Sequence, residues 1–95
     1  MKTIKQLSEL DGRVYVYLSA DRLCDLFLRR AEDEGFRFCD GEKPTRKRKD
    51  CIYAVNKDMT LNYVGFAGHA AYGSGCERIG AQRLIRVDYG TYIGE

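Results

Sequence analysis

The sequence has little net charge and no long hydrophobic run. Its 95 residues carry a formal charge of +2, so the chain as a whole is not a histone-like polycation, and any attraction to phosphate must come from local clusters of cations. The first ten residues, MKTIKQLSEL, contain lysines but no continuous apolar core, so we expect neither a secretory leader nor a membrane anchor. These absences predict a cytoplasmic protein without membrane contact.

Paired metal-ligand spacings are also missing. The separations of the four cysteines match neither zinc fingers nor zinc ribbons, and without a secretory leader we expect reduced thiols rather than disulfides. Cys24 falls on the apolar side of a predicted helix and is assigned to the core. Convergence of Cys39, Cys51, His69 and Cys76 on zinc stays open as an alternative. Because free cysteine usually behaves as a small buried apolar residue, we expect no metal and no cofactor.

The clearest pattern in the chain is a strand, a helix and a second strand over residues 13–41. Val14, Val16 and Leu18 alternate with tyrosines, which is the period of a strand. Ser19 is then predicted to cap a helix, and Gly35 is predicted to end it. The helix presents an apolar stripe at helical spacing, made of Leu23, Cys24, Phe27, Leu28 and Ala31.

The second half of the chain predicts mostly strands. Residues 51–55 and 60–66 have strand composition and flank a turn at 56–59, so they predict a hairpin. Four glycines punctuate residues 65–75, which predicts a loop. Residues 83–89 again alternate apolar and charged side chains, as expected of a last strand.

Together these elements predict one α+β domain spanning residues 1–95, without internal repeats. We expect a mixed sheet of about five strands with one main helix packed on one face, in the order β-α-β, hairpin, last strand. Residues 4–10 have the spacing of a short helical lead-in, and the tail after residue 89 is expected to be short and exposed.

A basic segment over residues 40–50 is the first candidate for ligand binding. Arginine guanidinium groups match phosphate oxygens in bidentate geometry, so Lys43, Thr45, Arg46 and Arg48 are predicted to hold a nucleotide or a nucleic-acid backbone. The alternative is an ordinary solvated loop, because short runs of charge usually face water.

The glycine-rich stretch is the second candidate. Glycines after a strand can turn backbone N–H groups toward an anion, so Gly68, His69, Tyr72 and Ser74 are predicted to contact a ligand. The stretch lacks the Lys-Ser/Thr of the nucleoside-triphosphate loop and the glycine spacing of the dinucleotide fingerprint, and a plain strand-to-loop turn is the alternative. Since no second histidine can pair with His69, we do not expect catalysis.

Seven tyrosines in 95 residues form the last signal. Phenol rings offer flat apolar area with one polar tip, which suits stacking on bases and suits subunit interfaces. Strand propensity alone also favours tyrosine. We expect at least one tyrosine face to be shared with another subunit of a homo-oligomer.

The segments VYVYLSADRLCDLFLRRAEDEGFRFCDGEKPT, LNYVGFAGHAAYGSG and RLIRVDYGTY carry a resemblance that spans nearly the whole chain. They resemble small uncharacterised proteins carried by phages and prophages of gut Firmicutes. The resemblance implies action in a host cytoplasm against host defence, for some such proteins by sequestering nucleotide immune signals between subunits. It implies no binding residue at any position here.

The sequence therefore predicts a non-catalytic protein that sequesters a phosphate-containing nucleotide, such as a cyclic nucleotide or an ADP-ribose-type signal. Its predicted ligand-binding residues are those of the basic segment and the glycine-rich stretch. One alternative is an inhibitor that docks on a host protein, and another is a small phosphodiesterase centred on His69. The basic segment also allows nucleic acid as a partner, which we do not favour.

Overall fold

Residues 2–95, which the computed structural model describes, form an α+β fold around a six-stranded mixed sheet. This confirms the predicted class, with one strand more than expected because a two-residue strand near residue 78 has no sequence signal. The helices are α1 (Ile4–Ser8), α2 (Asp21–Asp33), α3 (Gly65–Gly73) and α4 (Tyr89–Ile93). The strands are β1 (Arg13–Tyr17), β2 (Arg37–Phe38), β3 (Ile52–Val55), β4 (Thr60–Tyr63), β5 (Arg78–Ile79) and β6 (Gln82–Asp88).

The strands lie in the order β2-β4-β3-β1-β6-β5. The central strand β1 runs antiparallel to β3 and parallel to β6, while β2 runs parallel to β4. Strands β1 and β2, which α2 connects, therefore run in the same direction, but the hairpin of β3 and β4 lies between them. The hairpin itself is confirmed.

The first face of the sheet carries the main core. The predicted apolar stripe of α2 is buried there, and Phe27 is 0% exposed. Its ring meets Tyr89 edge-on with centroids 5.2 Å apart and stacks near Tyr53 at 5.8 Å. Gly35 follows the helix at a φ of +97°, which confirms the predicted end. The predicted cap at Ser19 is wrong, because the N-cap position falls on Ala20, which has no side-chain acceptor.

The glycine-rich stretch is a helix, not the predicted loop. Strand β4 ends at Tyr63, and α3 begins at Gly65. Alanine is the best helix former and supplies three of the nine residues of α3. The helix covers a second, smaller apolar cluster on the opposite face of the sheet, formed by Tyr15, Ile52, Ala54 and Leu84. Helices therefore lie on both faces.

The tail is also not exposed as predicted. It forms α4, which Asp88 caps by accepting a hydrogen bond from the Thr91 backbone N–H at 3.2 Å. Tyr89 is only 1% exposed, and the Tyr92 hydroxyl donates to the Thr3 carbonyl at 2.7 Å. Helix α4 and the start of α1 thus pack together on the first face. Across residues 2–95, every helix is too short or too polar to cross a lipid bilayer.

Candidate functional site

The parallel strands β1 and β6 end together, with Tyr17 opposite Asp88, and β3 begins beside them with Ile52 opposite Tyr17. Ligands commonly bind outside the carboxyl ends of parallel strands, where the helices that follow leave a crevice. A depression of about 340 Å³ lies at this edge, lined in part by Leu18, Lys49 and Cys51. We call this region the carboxyl edge.

Three reactive side chains meet at the carboxyl edge. The Asp50 Oδ1 atom lies 3.1 Å from His69 Nε2, and Cys51 Sγ lies 3.8 Å from His69 Nδ1. Asp50 Oδ1 also accepts a hydrogen bond from the Cys51 backbone N–H at 2.6 Å. One ligand atom from each residue lies within 4.8 Å of the other two. We call this group the Asp50–Cys51–His69 cluster.

Two tyrosines hold the chain that leads into the cluster. The Tyr53 hydroxyl accepts from the Asp50 backbone N–H at 2.9 Å and donates to the Arg48 carbonyl at 3.1 Å. The Tyr63 hydroxyl donates to the same carbonyl at 2.7 Å. Burial raises the pKa of both phenols, so they stay protonated and keep donating at neutral pH. These hydrogen bonds hold the backbone of Arg48 and Asp50 on the side that faces the core.

The thiol of Cys51 is exposed at the start of β3. The Cys51 backbone carbonyl accepts a hydrogen bond from the Leu18 N–H at 2.8 Å, which extends the pairing of β1 with β3. Partial desolvation, and then the negative charge of Asp50, raise the pKa of Cys51. By itself the thiol therefore stays protonated at neutral pH, and a positive charge beside it is needed to produce the thiolate.

The basic segment is only partly brought to this edge. Lys47 pairs with Asp40 at 2.6 Å, which raises the pKa of Lys47 and lowers that of Asp40. Thr45 lies at the far end of α2, where its hydroxyl donates to Glu32 at 2.6 Å. Arg48 does reach the cluster, with its guanidinium 4.0 Å from Asp50. The remaining predicted residues, Lys43 and Arg46, are exposed.

The four predicted residues of the glycine-rich stretch have different surroundings. Gly68 is buried against the sheet, and its N–H donates to the Val64 carbonyl within the helix. Ser74 donates to the Ala71 carbonyl at 3.3 Å. The backbone N–H groups of Gly68 and Ser74 donate to the Val64 and Ala70 carbonyls and so are not turned toward an anion as predicted. Of the four, His69 joins the cluster, and Tyr72 packs on Tyr17 with ring centroids 5.8 Å apart.

Comparison with known proteins gives no relative. Neither family models, nor curated proteins, nor solved structures match the chain significantly. The resemblance to phage and prophage proteins therefore stays a prediction. The functional argument depends on the residues of the carboxyl edge alone.

Sequence reasoning missed Asp50. The alternative zinc set combined Cys51 and His69 with two other cysteines, but Cys39 lies beside Thr60 and Asn62 and Cys76 donates to the Arg78 carbonyl. In the observed cluster the Asp50 carboxylate lies where the zinc alternative had Cys39 and Cys76. Its one sequence signal is that an acidic residue directly precedes a cysteine at the start of a strand.

Proposed function

We propose that the protein binds a phosphate-containing nucleotide at the carboxyl edge and releases it unchanged. The observation that carries the proposal is the position of Arg48, whose guanidinium lies 4.3 Å above the Tyr63 ring while its side chain is 72% exposed. Stacking on the ring holds the guanidinium plane and leaves N–H groups at its rim free to donate to phosphate oxygens in pairs.

Nearby charges support an anion on the Arg48 side of the edge. Lys47 lies 5.9 Å from the same ring and 5.2 Å from that of Phe38, and Arg46 is exposed on the same short segment. Asp50 opposes an anion, but its carboxylate is engaged by His69 at 3.1 Å and more weakly by Arg48 at 4.0 Å. A bidentate phosphate is a better partner for Arg48 than this distant carboxylate.

Titration calorimetry against a panel of mono-, di- and cyclic nucleotides and ADP-ribose tests the proposal. Arg46→Ala and Arg48→Ala should each weaken binding by about 1.5–3 kcal/mol, the range for hydrogen bonds to charged groups. Arg83→Ala makes the same charge change at the opposite end of β6 and should leave affinity within error. Tyr72→Ala should weaken binding by about 1–3 kcal/mol if the ring stacks on a base.

A small phosphodiesterase is the second candidate function. It was disfavoured from sequence because His69 had no partner, and the 3.1 Å contact with Asp50 supplies one. Chromatography of the ligand after denaturing the complex separates the two functions. Intact ligand supports binding alone, whereas cleaved ligand that disappears with His69→Gln supports the enzyme. No binding across the panel favours an inhibitor that docks on a host protein.

We also propose that the protein works as a homo-oligomer in the cytoplasm, which is that of the bacterial host if the gene belongs to a phage. Helix α3 has no charged residue other than His69 in its protonated form, and its Phe66 side chain is 92% exposed. The helix is rich in glycine and alanine, which permit close approach of a second copy. Light scattering at micromolar concentration should give a multiple of the chain mass, and Phe66→Asp should return it to that of one chain.

A further inference from the structure

The Asp50–Cys51–His69 cluster combines the three kinds of ligand that divalent transition metals take from proteins. The thiolate and the carboxylate each supply one negative charge and the imidazole is neutral, so the set balances a dication. We propose that the cluster binds a single zinc-class metal ion. This site adjoins the proposed nucleotide contacts, since the Arg48 guanidinium lies 4.0 Å from Asp50, but the argument for it does not depend on them.

The geometry is close to that of a bound metal. In a tetrahedral site with metal bonds of about 2.0–2.3 Å, neighbouring ligand atoms lie about 3.5 Å apart. Asp50 and Cys51 lie beside different ring nitrogens of His69, with Oδ1 of Asp50 3.1 Å from Nε2 and Sγ of Cys51 3.8 Å from Nδ1, and a single ion takes one of these nitrogens. A set with one ligand atom from each residue lies within 4.8 Å, so its separations must shorten by at most about 1.3 Å to reach the tetrahedral spacing of about 3.5 Å.

The surroundings hold the backbone of each ligand residue in place. The Tyr53 hydroxyl holds the Asp50 backbone, and the Leu18 N–H holds that of Cys51. His69 follows Gly68, which is buried beside Val64 and the Tyr15 ring. A backbone that is already ordered reduces the conformational entropy that metal binding must remove. A site with three protein ligands and an exposed thiol also leaves a fourth position open to solvent.

The chemistry of the ligands selects the metal. Thiolate and imidazole favour Zn²⁺ and Co²⁺ over Mg²⁺ and Ca²⁺, which prefer oxygen ligands alone. Titrating the chelator-treated full chain with Co²⁺ should therefore give thiolate-to-cobalt absorption that saturates at one ion per chain. Zn²⁺ should displace the cobalt, and Mg²⁺ at the same concentration should not.

Matched variants locate the site. Cys51→Ser should abolish the charge-transfer absorption, and His69→Gln and Asp50→Asn should each weaken Co²⁺ binding at least tenfold. Cys39→Ser, which changes another exposed cysteine, should bind as the unaltered chain does. Absorption that persists in Cys51→Ser, or that is lost in Cys39→Ser, would overturn the assignment. Circular dichroism of each variant establishes that it is folded.

The unaltered chain provides a test that needs no variant. With Zn²⁺ present, alkylation of Cys51 measured by mass spectrometry should slow at least tenfold, while Cys39 and Cys76 should react at unchanged rates. Equal protection of all three thiols, or none, would contradict a site at Cys51. Repeating the nucleotide panel with chelator separates the two proposals. Nucleotide binding that survives chelation shows that the nucleotide site works without a metal ion, and the cobalt and alkylation experiments then decide the metal site.

Discussion

The two faces of the sheet differ in what covers them. On the first face, α1, α2 and α4 close over a continuous core in which Val16, Phe27 and Leu61 are 0% exposed. On the second face, α3 covers a smaller cluster that extends from Ile52 at the carboxyl edge to Leu84. The first face therefore supplies most of the apolar burial that stabilises the fold, and the second face is where polar and reactive side chains collect.

The end of the second face that α3 leaves uncovered also carries polar side chains. The Asn56 side chain donates to Thr60 Oγ1 at 3.0 Å and to Asn62 Oδ1 at 2.8 Å, and it accepts from Arg13. These residues line a depression of about 710 Å³. Hydrogen-bonded amides of this kind tolerate water, so no helix is needed to cover them.

Truncating one phenylalanine on each face tests the comparison most strongly. Phe27→Ala should lower the free energy of unfolding by about 3–5 kcal/mol, because it leaves a cavity in the first-face core. Phe66→Ala, on the outer side of α3, should change it by at most about 0.5 kcal/mol in the single chain. Urea denaturation measures both. An unchanged midpoint for Phe27→Ala would remove α2 from the core.

Adding a methyl group at two glycines of α3, which covers the second face, tests how tightly the start of that helix is packed against Val64. A Cβ at Gly68 would come within 2.4 Å of the Val64 Cβ and 3.6 Å of the Tyr15 ring. Gly68→Ala should therefore cost about 1–3 kcal/mol through overpacking. A Cβ at Gly73 meets nothing within 4 Å, so Gly73→Ala should raise stability by about 0.4–1 kcal/mol. Equal melting temperatures for the two variants would contradict the close contact between Gly68 and Val64.

Removing the Tyr53 hydroxyl tests the connection between the first-face core and the carboxyl edge. Tyr53→Phe leaves the Asp50 N–H and the Arg48 carbonyl without this partner and should cost about 1–3 kcal/mol at pH 7. Burial raises the folded-state pKa of Tyr53 above its unfolded value, so the contribution of the protonated phenol is complete below pH about 10 and is lost as pH rises further. The difference between the two proteins should therefore narrow above pH 10 in urea titrations. A constant difference would show that the phenol is not buried.

Local patterns predicted the elements whose periodicity is strong. The alternation around Val16 and the helical spacing around Phe27 identified β1 and α2, and the turn residues after Val55 identified the hairpin. Helix α3 was missed because glycine was taken as punctuation. What makes the stretch helical is non-local, since the apolar second face of the sheet must be covered.

The candidate site was predicted only in part for the same reason. His69 and Arg48 were singled out by residue type, but their connection passes through Asp50, which is 19 positions before His69 in the chain. No spacing rule relates the two. The topology creates the contact by placing the start of β3 beside the helix that follows β4.

The outer strands β2 and β5 contain two residues each. A long free edge offers unpaired N–H and C=O groups on which a further strand can add, and such addition leads to open-ended fibres. Two residues provide too few of these groups to support it. Strands β2 and β5 therefore offer little edge for strand addition, and we expect copies of this chain, in the homo-oligomer proposed above, to meet through side chains.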